Sequence, residues 1–293
     1  MRKLLIFIIL FILYLPSLGQ ELSPVEIAGK YFGKDTTGLV DYLTGEILKR
    51  YMENKEKELT EEEKQELDSL KKMIGKVEFI DPSVNAEIIE MDSESAVVSV
   101  NISENGASED HYLYFINSNG WKLEAHRALA MSGLQIMAIK EWEKMTPEKK
   151  EEYATHGGDL GKIEFFIETS KLLLKDDRSI IDHFIDNADR FDSFLREAKY
   201  RIMPEDFNLD EPRELPYIIE YYKKALLITN VSKEYNRAGG IYPNVIFFTI
   251  GGILDDTGGY LYVEDNKDLP KIEKSKFIMI REIGNGWYFF KTT

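Results

Sequence analysis

The sequence predicts an α+β protein built as two tandem units, each with helices followed by an antiparallel sheet. Before each predicted sheet, apolar residues recur every three or four positions, which is the spacing of one helix face. In 76–127 and again in 241–293 the period falls to two, as in strands. Both sheets close with Asn-Gly-Trp, at 119–121 and 285–287. This echo predicts a hairpin in each unit, and it fits either a true duplication or two independent Asn-Gly turns.

The composition is that of a globular protein and excludes several classes. The chain has 293 residues, 43% hydrophobic and 30% charged, which allows two domains with sizeable cores. Its formal net charge of −15 would repel a phosphate backbone, so we expect no nucleic-acid partner. The absence of cysteine excludes disulfides, zinc–thiolate sites and a cysteine nucleophile. No cofactor-binding motif is present, and we expect no cofactor.

Residues 1–19 have the features of a secretory signal peptide. Two basic residues precede an apolar run at 4–15, Pro16 ends the run, and small residues allow cleavage before Gln20. The run is shorter than the roughly 20 residues that span a bilayer, although an uncleaved anchor is the alternative. We therefore expect an exported protein, periplasmic or extracellular, with no membrane insertion after signal cleavage.

Residues 20–128 form the first predicted domain. Ser-Pro-Val-Glu at 23–26 is a capping box with proline in the first turn, so a short helix begins there. Helical spacing predicts a second helix over 37–54, and Thr60 opens a third. Alternation then predicts a sheet with one apolar face. The predicted strands are 76–81, 86–91, 95–103, 111–117 and 121–127.

The closing strands of this domain resemble a known superfamily. The stretch 86–100 reads Ala-Glu-Ile-Ile-Glu-Met-Asp-Ser-Glu-Ser-Ala-Val-Val-Ser-Val, and 119–123 reads Asn-Gly-Trp-Lys-Leu. With the preceding helices, these are similar to small exported domains of the nuclear transport factor 2-like superfamily. The resemblance covers residues 25–127 and implies a cone-shaped sheet covered by helices. That superfamily includes isomerases, hydratases and non-enzymatic binding domains, so the resemblance alone does not fix the function.

The side chains expected to point into the cone are apolar, whereas an isomerase or hydratase needs ionisable groups there. These positions are Ala96, Val98, Val100, Ile102, Trp121, Leu123 and Ala125. A closed core is therefore predicted, although His111 or a helix residue could still supply an inward group. His126 shares the polar face of its strand, and we expect it to be solvent-exposed.

Residues 129–293 form the second predicted domain, a helical block followed by a C-terminal antiparallel β-meander. Residues 217–231 fit a helix or a strand equally well. The predicted helices lie within 133–145, 147–156, 161–175, 179–187 and 188–199, and the meander strands are 245–250, 260–264, 277–281 and 287–291. Both faces of the meander are apolar and must be covered. Helices can cover one face, and we expect the first domain, a partner subunit or a ligand to cover the other.

The candidate contact residues for a ligand or partner are the aromatic residues Tyr260, Tyr262, Trp287 and Tyr288. Core packing is the alternative role for them. The four histidines show no metal-binding spacing, and no catalytic motif is present. The acidic loops within 255–268 lack an EF-hand pattern, so we expect no metal site.

These observations favour an exported cell-envelope binding or protein-interaction module without catalytic activity. Its expected partner is an envelope protein or a small ligand. The alternative is an enzyme, a hydrolase or isomerase, with a site in the cleft between the two domains. Such a site would use acids from 255–268 or His111, and it would need two or more ionisable groups close together in a deep pocket.

Overall fold

The computed structural model describes residues 21–56, 83–104, 107–129, 132–157, 159–201, 217–235, 240–254 and 256–293. The chain is an α+β protein of helices and antiparallel sheets, which confirms the predicted class. The predicted signal peptide, the helix opened by Thr60 and the strand at 76–81 lie outside the described residues. Within the described ranges, no helix combines the length and apolarity needed to cross a lipid bilayer.

The chain divides into two compact units. The first contains the described residues up to Glu56 together with Val84–Val100 and Leu113–His126. The second contains Asn101–Tyr112 and Arg127–Thr293. This grouping places 101–112, which the sequence assigns to the first domain, with the second unit.

The first helices and the four-stranded sheet follow the predicted order. The elements are α1 (Pro24–Phe32), a 3-10 helix (Leu39–Tyr42), α2 (Gly45–Glu56), β1 (Ser83–Met91), β2 (Ser95–Glu104), β3 (Ala107–Asn117) and β4 (Trp121–Arg127), and the strands pair in chain order. Ser23 and Glu26 form the predicted capping box, in which the Glu26 amide donates to Ser23 Oγ at 3.3 Å and the Ser23 amide to Glu26 Oε2 at 2.8 Å. The cap fixes where α1 begins.

The helix predicted over 37–54 is interrupted. Leu43 is extended and forms a parallel β-bridge with Leu123, and the Thr44 amide donates to the Leu123 carbonyl at 3.0 Å. Gly45, at φ +56°, then lets the chain enter α2. A long-range backbone pair therefore replaces the helical turn that the local pattern predicts.

The second unit contains the helical block and the C-terminal sheet. Its helices are α3 (Ser132–Lys144), α4 (Pro147–Gly157), α5 (Leu160–Leu173), α6 (Asp177–Asp186), α7 (Ala188–Arg201) and α8 (Tyr217–Ala225). Its strands are β5 (Asn230–Ser232), β6 (Glu234–Tyr235), β7 (Gly240–Ile241), β8 (Val245–Ile253), β9 (Asp256–Val263), β10 (Phe277–Gly284) and β11 (Trp287–Thr292). One sheet has the order β10-β11-β9-β8-β5, and β6 pairs with β7. The ambiguous segment 217–231 contains both a helix and a strand.

Helices cover one face of the five-stranded sheet through aromatic contacts. Phe184 of α6 lies 5.1 Å from Tyr260, measured between ring centroids. Phe191 and Phe194 of α7 lie 5.9 Å from Trp287 and 5.1 Å from Phe248. This face is buried by the helical block, as the sequence predicts.

The opposite face of the sheet is buried by the chain's own loops. Its cluster of buried side chains is Val245, Phe247, Leu261, Val263, Phe277, Ile280, Tyr288 and Phe290. Tyr242, just before β8, packs on this cluster together with Leu269 and Ile272 from the β9–β10 connection. A connection of the same unit therefore contributes to the cover of this face, which the sequence analysis did not anticipate.

Candidate functional site

A solvent-open cavity of about 330 Å³ lies in the second unit, where β8 begins and β9 ends. Residues from five parts of the unit line it: α7, the β5–β6 turn, β8 with the two residues before it, β9 and the segment after β9. Its polar and aromatic groups are Lys199, Lys233, Tyr262, Glu264, Asp265 and Asp268, and Pro243, Asn244 and Ile246 complete the wall. The cavity therefore combines an aromatic ring with ammonium and carboxylate groups.

Tyr262 forms a fixed wall of this cavity. Its half-buried ring lies edge-on to Trp287, with centroids 5.3 Å apart. Gly286, at φ +80°, lies behind the ring. A Cβ at Gly286 would overlap the Val263 carbonyl oxygen and approach the Tyr262 ring to 3.1 Å. The turn therefore requires glycine, and its tight fit helps to fix the orientation of the Tyr262 ring.

Lys199 of α7 reaches over this wall. Its ammonium lies 4.4 Å from the Tyr262 ring centroid and 2.5 Å from Glu264 Oε1. A cation over an aromatic face is attracted by the ring quadrupole. The hydrogen bond and charge of Lys199 lower the pKa of Glu264. The ring face is thus already occupied by a side chain of the protein.

The loop after β9 supplies the remaining carboxylates. Asp265 accepts a hydrogen bond from the Lys267 amide at 3.0 Å, and its Oδ2 lies 2.7 Å from the Lys267 ammonium. The side-chain and backbone bonds to Lys267 lower the pKa of Asp265. Asp268 ends the 3-10 helix (Asn266–Asp268) that this cap begins. The loop therefore presents ionised carboxylates to the cavity.

This arrangement is suited to holding charge rather than to moving protons. A general acid or base that works near neutral pH needs a pKa close to that pH. The pKa values of Glu264 and Asp265 are shifted in the other direction. The geometry therefore offers paired charges around an aromatic wall that packs against Trp287.

The structure separates the four aromatic residues that the sequence singled out. Tyr262 lines the cavity, and the buried Trp287 supports it while donating from Nε1 to Asp192 Oδ1 at 3.1 Å. Tyr260 is buried under the helices, where its hydroxyl donates to the Ile180 carbonyl at 2.8 Å. Tyr288 is buried on the opposite face, and its hydroxyl donates to Asn266 Oδ1 at 3.0 Å. Strand alternation places Tyr288 on the face opposite Tyr260, Tyr262 and Trp287, and burial removes Tyr260 from the cavity, so the four residues do not form one surface.

A buried charged cluster, which the sequence analysis missed, lies elsewhere in the second unit. The ammonium of Lys291 lies 2.8 Å from Asp177 Oδ1 and 3.8 Å from Asp110 Oδ2. The Tyr112 hydroxyl donates to Asp177 at 2.8 Å, and the Asp177 amide donates to Asp110 Oδ2 at 2.6 Å. Exposure is 3% for Lys291, 4% for Asp177, 8% for Asp110 and 0% for Tyr112. These buried polar groups therefore form hydrogen bonds and ion pairs with one another.

The cluster has two carboxylates for one ammonium, and this excess of negative charge affects the pKa values of its members. Burial and the neighbouring Asp177 charge raise the pKa of Asp110 to about 6. Burial, together with the two carboxylates, raises the pKa of Tyr112 well above its usual value. By strand alternation Lys291 shares a face with Trp287 and Phe289, but the cost of burying a charge assigns a lysine to the surface, so the sequence alone does not place it in this cluster.

No histidine is among the described residues that line the cavity. His111 is partly buried, its Nε2 lies 3.9 Å from Glu109 Oε2, and burial is the main cause that lowers its pKa. In the first unit, His126 packs edge-on against Tyr31 and Phe32, at 5.6 and 5.5 Å between centroids. The expectation of a solvent-exposed His126 is therefore wrong, because residues of α1 cover its ring. Among the described residues, no group of three or more histidine or carboxylate side chains is arranged to hold a metal ion.

Comparison of the chain with models of known families, with curated proteins and with solved structures gives no significant match.

Proposed function

We propose that this chain is an exported binding module that takes a small polar ligand into the cavity beside Tyr262 and does not act on it chemically. The observation that carries the proposal is the rigid Tyr262 wall, surrounded by lysine and carboxylate side chains in an open cavity of about 330 Å³. Small-molecule sites have volumes of roughly 300–1,000 Å³ and combine an aromatic or apolar wall with a few polar groups. The volume here favours a ligand at the small end of that range.

The export part of the proposal rests on the signal-peptide features of residues 1–19. The protein would then work in the periplasm or outside the cell, where it meets small solutes directly. For residues 25–127 we propose a nuclear transport factor 2-like domain, supported by helices that precede a four-stranded antiparallel sheet. Such domains can bind without catalysing, which is compatible with the apolar side chains buried in this segment.

One observation favours the enzyme alternative, which would use acids from 255–268. Three carboxylates of this segment line the cavity: Glu264, Asp265 and Asp268. A hydrolase or isomerase would use such carboxylates to transfer protons. The lowered pKa values of Glu264 and Asp265 make both poor proton donors near neutral pH. Binding without turnover is therefore the function we propose first.

A ligand screen tests the proposal directly. The purified protein, from expression of the full chain, is heated with small polar compounds grouped by chemical class, and a ligand is recognised by a rise in Tm. Tyr262→Ala should abolish the rise. Tyr217→Ala is the matched control, because that tyrosine is 87% exposed and does not line the cavity. Circular dichroism confirms that both variants fold.

The outcomes separate the candidates. A ligand that stabilises the native protein and the control, but not Tyr262→Ala, supports the proposal. Mass spectrometry of the incubated ligand should show it unchanged, whereas a product lost in a cavity variant would establish the enzyme alternative. If no class of compound binds, or if binding survives Tyr262→Ala, the proposal fails.

A further inference from the structure

The charges that line the cavity are not equivalent, because some are already paired within the protein. Lys199 is held by Glu264 at 2.5 Å and by the Tyr262 ring. Asp265 is held by Lys267 at 2.7 Å. A ligand competing for these groups would first have to break contacts that the protein makes with itself. They shape the cavity more than they offer open binding positions.

Lys233 and Asp268 are the charged lining groups that remain. Neither forms an ion pair or a side-chain hydrogen bond with another of the described residues, although the negative charge of Asp268 helps to raise the pKa of Lys267. Lys233 lies in the β5–β6 turn and is exposed, while Asp268 is half-buried at the end of the 3-10 helix after β9. Among the lining residues that the structure describes, the cavity therefore offers one cation and one anion that lack a direct ion pair, supplied by two different segments.

The Tyr262 ring and the charges around it disfavour ligands that bind to an aromatic face and ligands that carry a single charge. Sugars and quaternary ammonium groups bind to an open aromatic face, but the Lys199 ammonium occupies this one at 4.4 Å, and Trp287 packs against the ring edge-on. A ligand with only a negative charge would be repelled, because the lining has more carboxylates than lysines. A ligand with only a positive charge would leave the Lys233 ammonium without a counter-charge. Only a ligand with both charges complements both available groups.

We propose that the ligand is a small zwitterion, a free amino acid or short peptide, whose carboxylate meets Lys233 and whose ammonium meets Asp268. This inference rests on the proposed function, since it names the ligand class of the same cavity. The volume of about 330 Å³ fits a molecule of this size. Charge-assisted hydrogen bonds at the two termini supply the specificity.

Titration calorimetry with matched compounds tests the inference. The probes are free amino acids and the dipeptide Ala-Ala, and the best binder is compared with its N-acetyl form and its C-terminal amide. Each capped form loses one charge and should bind at least about tenfold more weakly, the effect of one charge-assisted hydrogen bond.

Two variants assign each charge to its residue. Lys233→Met should remove the preference for a free carboxylate and keep the preference for a free ammonium. Asp268→Asn should do the reverse. Lys162→Met and Asp182→Asn, exposed residues on α5 and α6, are the controls and should leave both preferences unchanged.

The results distinguish this inference from the proposed function. Capped and free forms that bind equally, or variants that leave both preferences intact, overturn the zwitterion. If zwitterions fail while a neutral or singly charged class binds beside Tyr262, the inference falls and the binding module stands. If no class of compound binds there, both fall.

Discussion

Replacing Lys291 with methionine tests whether the buried charged cluster stabilises the second unit. Methionine keeps an apolar stem but removes the ammonium that lies 2.8 Å from Asp177 and 3.8 Å from Asp110. Breaking a buried ion pair by removing one partner costs about 3–5 kcal/mol, because the remaining charge is buried without compensation. We expect a loss within this range in the free energy of unfolding at pH 7.5.

The loss should depend on pH, and the sign follows from Asp110. Its pKa is raised to about 6 in the folded protein, and Lys291 is one of the groups that lower it. In the variant this pKa rises further, so Asp110 takes up a proton more readily and relieves the excess negative charge. Because a proton can replace the missing cation in acid, the variant should lose less stability at pH 5 than at pH 7.5.

The assay is chemical unfolding, followed by tryptophan fluorescence at both pH values. Lys162→Met, on an exposed lysine, is the control and should change stability by less than about 0.5 kcal/mol. Adding Asp177→Asn to Lys291→Met removes both charges of the closest pair and should restore part of the loss. A loss below about 1 kcal/mol at both pH values, or a double variant less stable than Lys291→Met alone, would refute the reasoning.

Further predictions concern titration, capping and one turn. Asp110 loses its proton near pH 3.8 in the unfolded chain and near pH 6 in the folded chain. Its contribution to the free energy of unfolding should therefore fall by about 3 kcal/mol as the pH rises from 3.8 to 6. In unfolding curves measured across this range, Asp110→Asn should reduce the dependence of stability on pH. Ser23→Ala should cost about 1 kcal/mol by removing the α1 cap, visible as a lower Tm, and no change would contradict the cap's role. Gly286→Ala should destabilise by more than about 1 kcal/mol and weaken binding beside Tyr262, whereas Gly133→Ala, with open space around it, should be neutral or stabilising. Equal effects of these two glycine changes would count against a strained turn.

Features that depend on neighbouring residues were predictable from the sequence. The capping box at Ser23 and the strand β4 (Trp121–Arg127) have the predicted position, since a cap and a hairpin involve residues a few positions apart. The helical block and the meander also follow their periodicity. The register of β9 and β11, which pairs Tyr260 with Phe289, places these aromatic side chains across one face as alternation requires.

Contacts between residues far apart in the chain explain the features that the periodicity of the sequence did not predict. The helix predicted over 37–54 is interrupted because Leu43 pairs with Leu123, far along the chain. Leu269 and Ile272, from the β9–β10 connection, pack on the second face of the meander, although this connection carries no periodic signal. The ring of His126 is covered by Tyr31 and Phe32 of α1, which are also distant in the sequence.

In the candidate site, too, some features follow from the local sequence and others depend on the tertiary structure. The sequence by itself determined the α+β class, the caps and turns, and the set of aromatic residues that includes Tyr262, because helix and strand periodicity and turn chemistry are local. Only the tertiary structure decided that Lys199 meets Glu264, 65 positions away, and that Asp177 meets Asp110, 67 positions away. A charged side chain is assigned to the surface by default, since burial costs free energy. Its partner becomes visible only when the folded chain brings the two charges together.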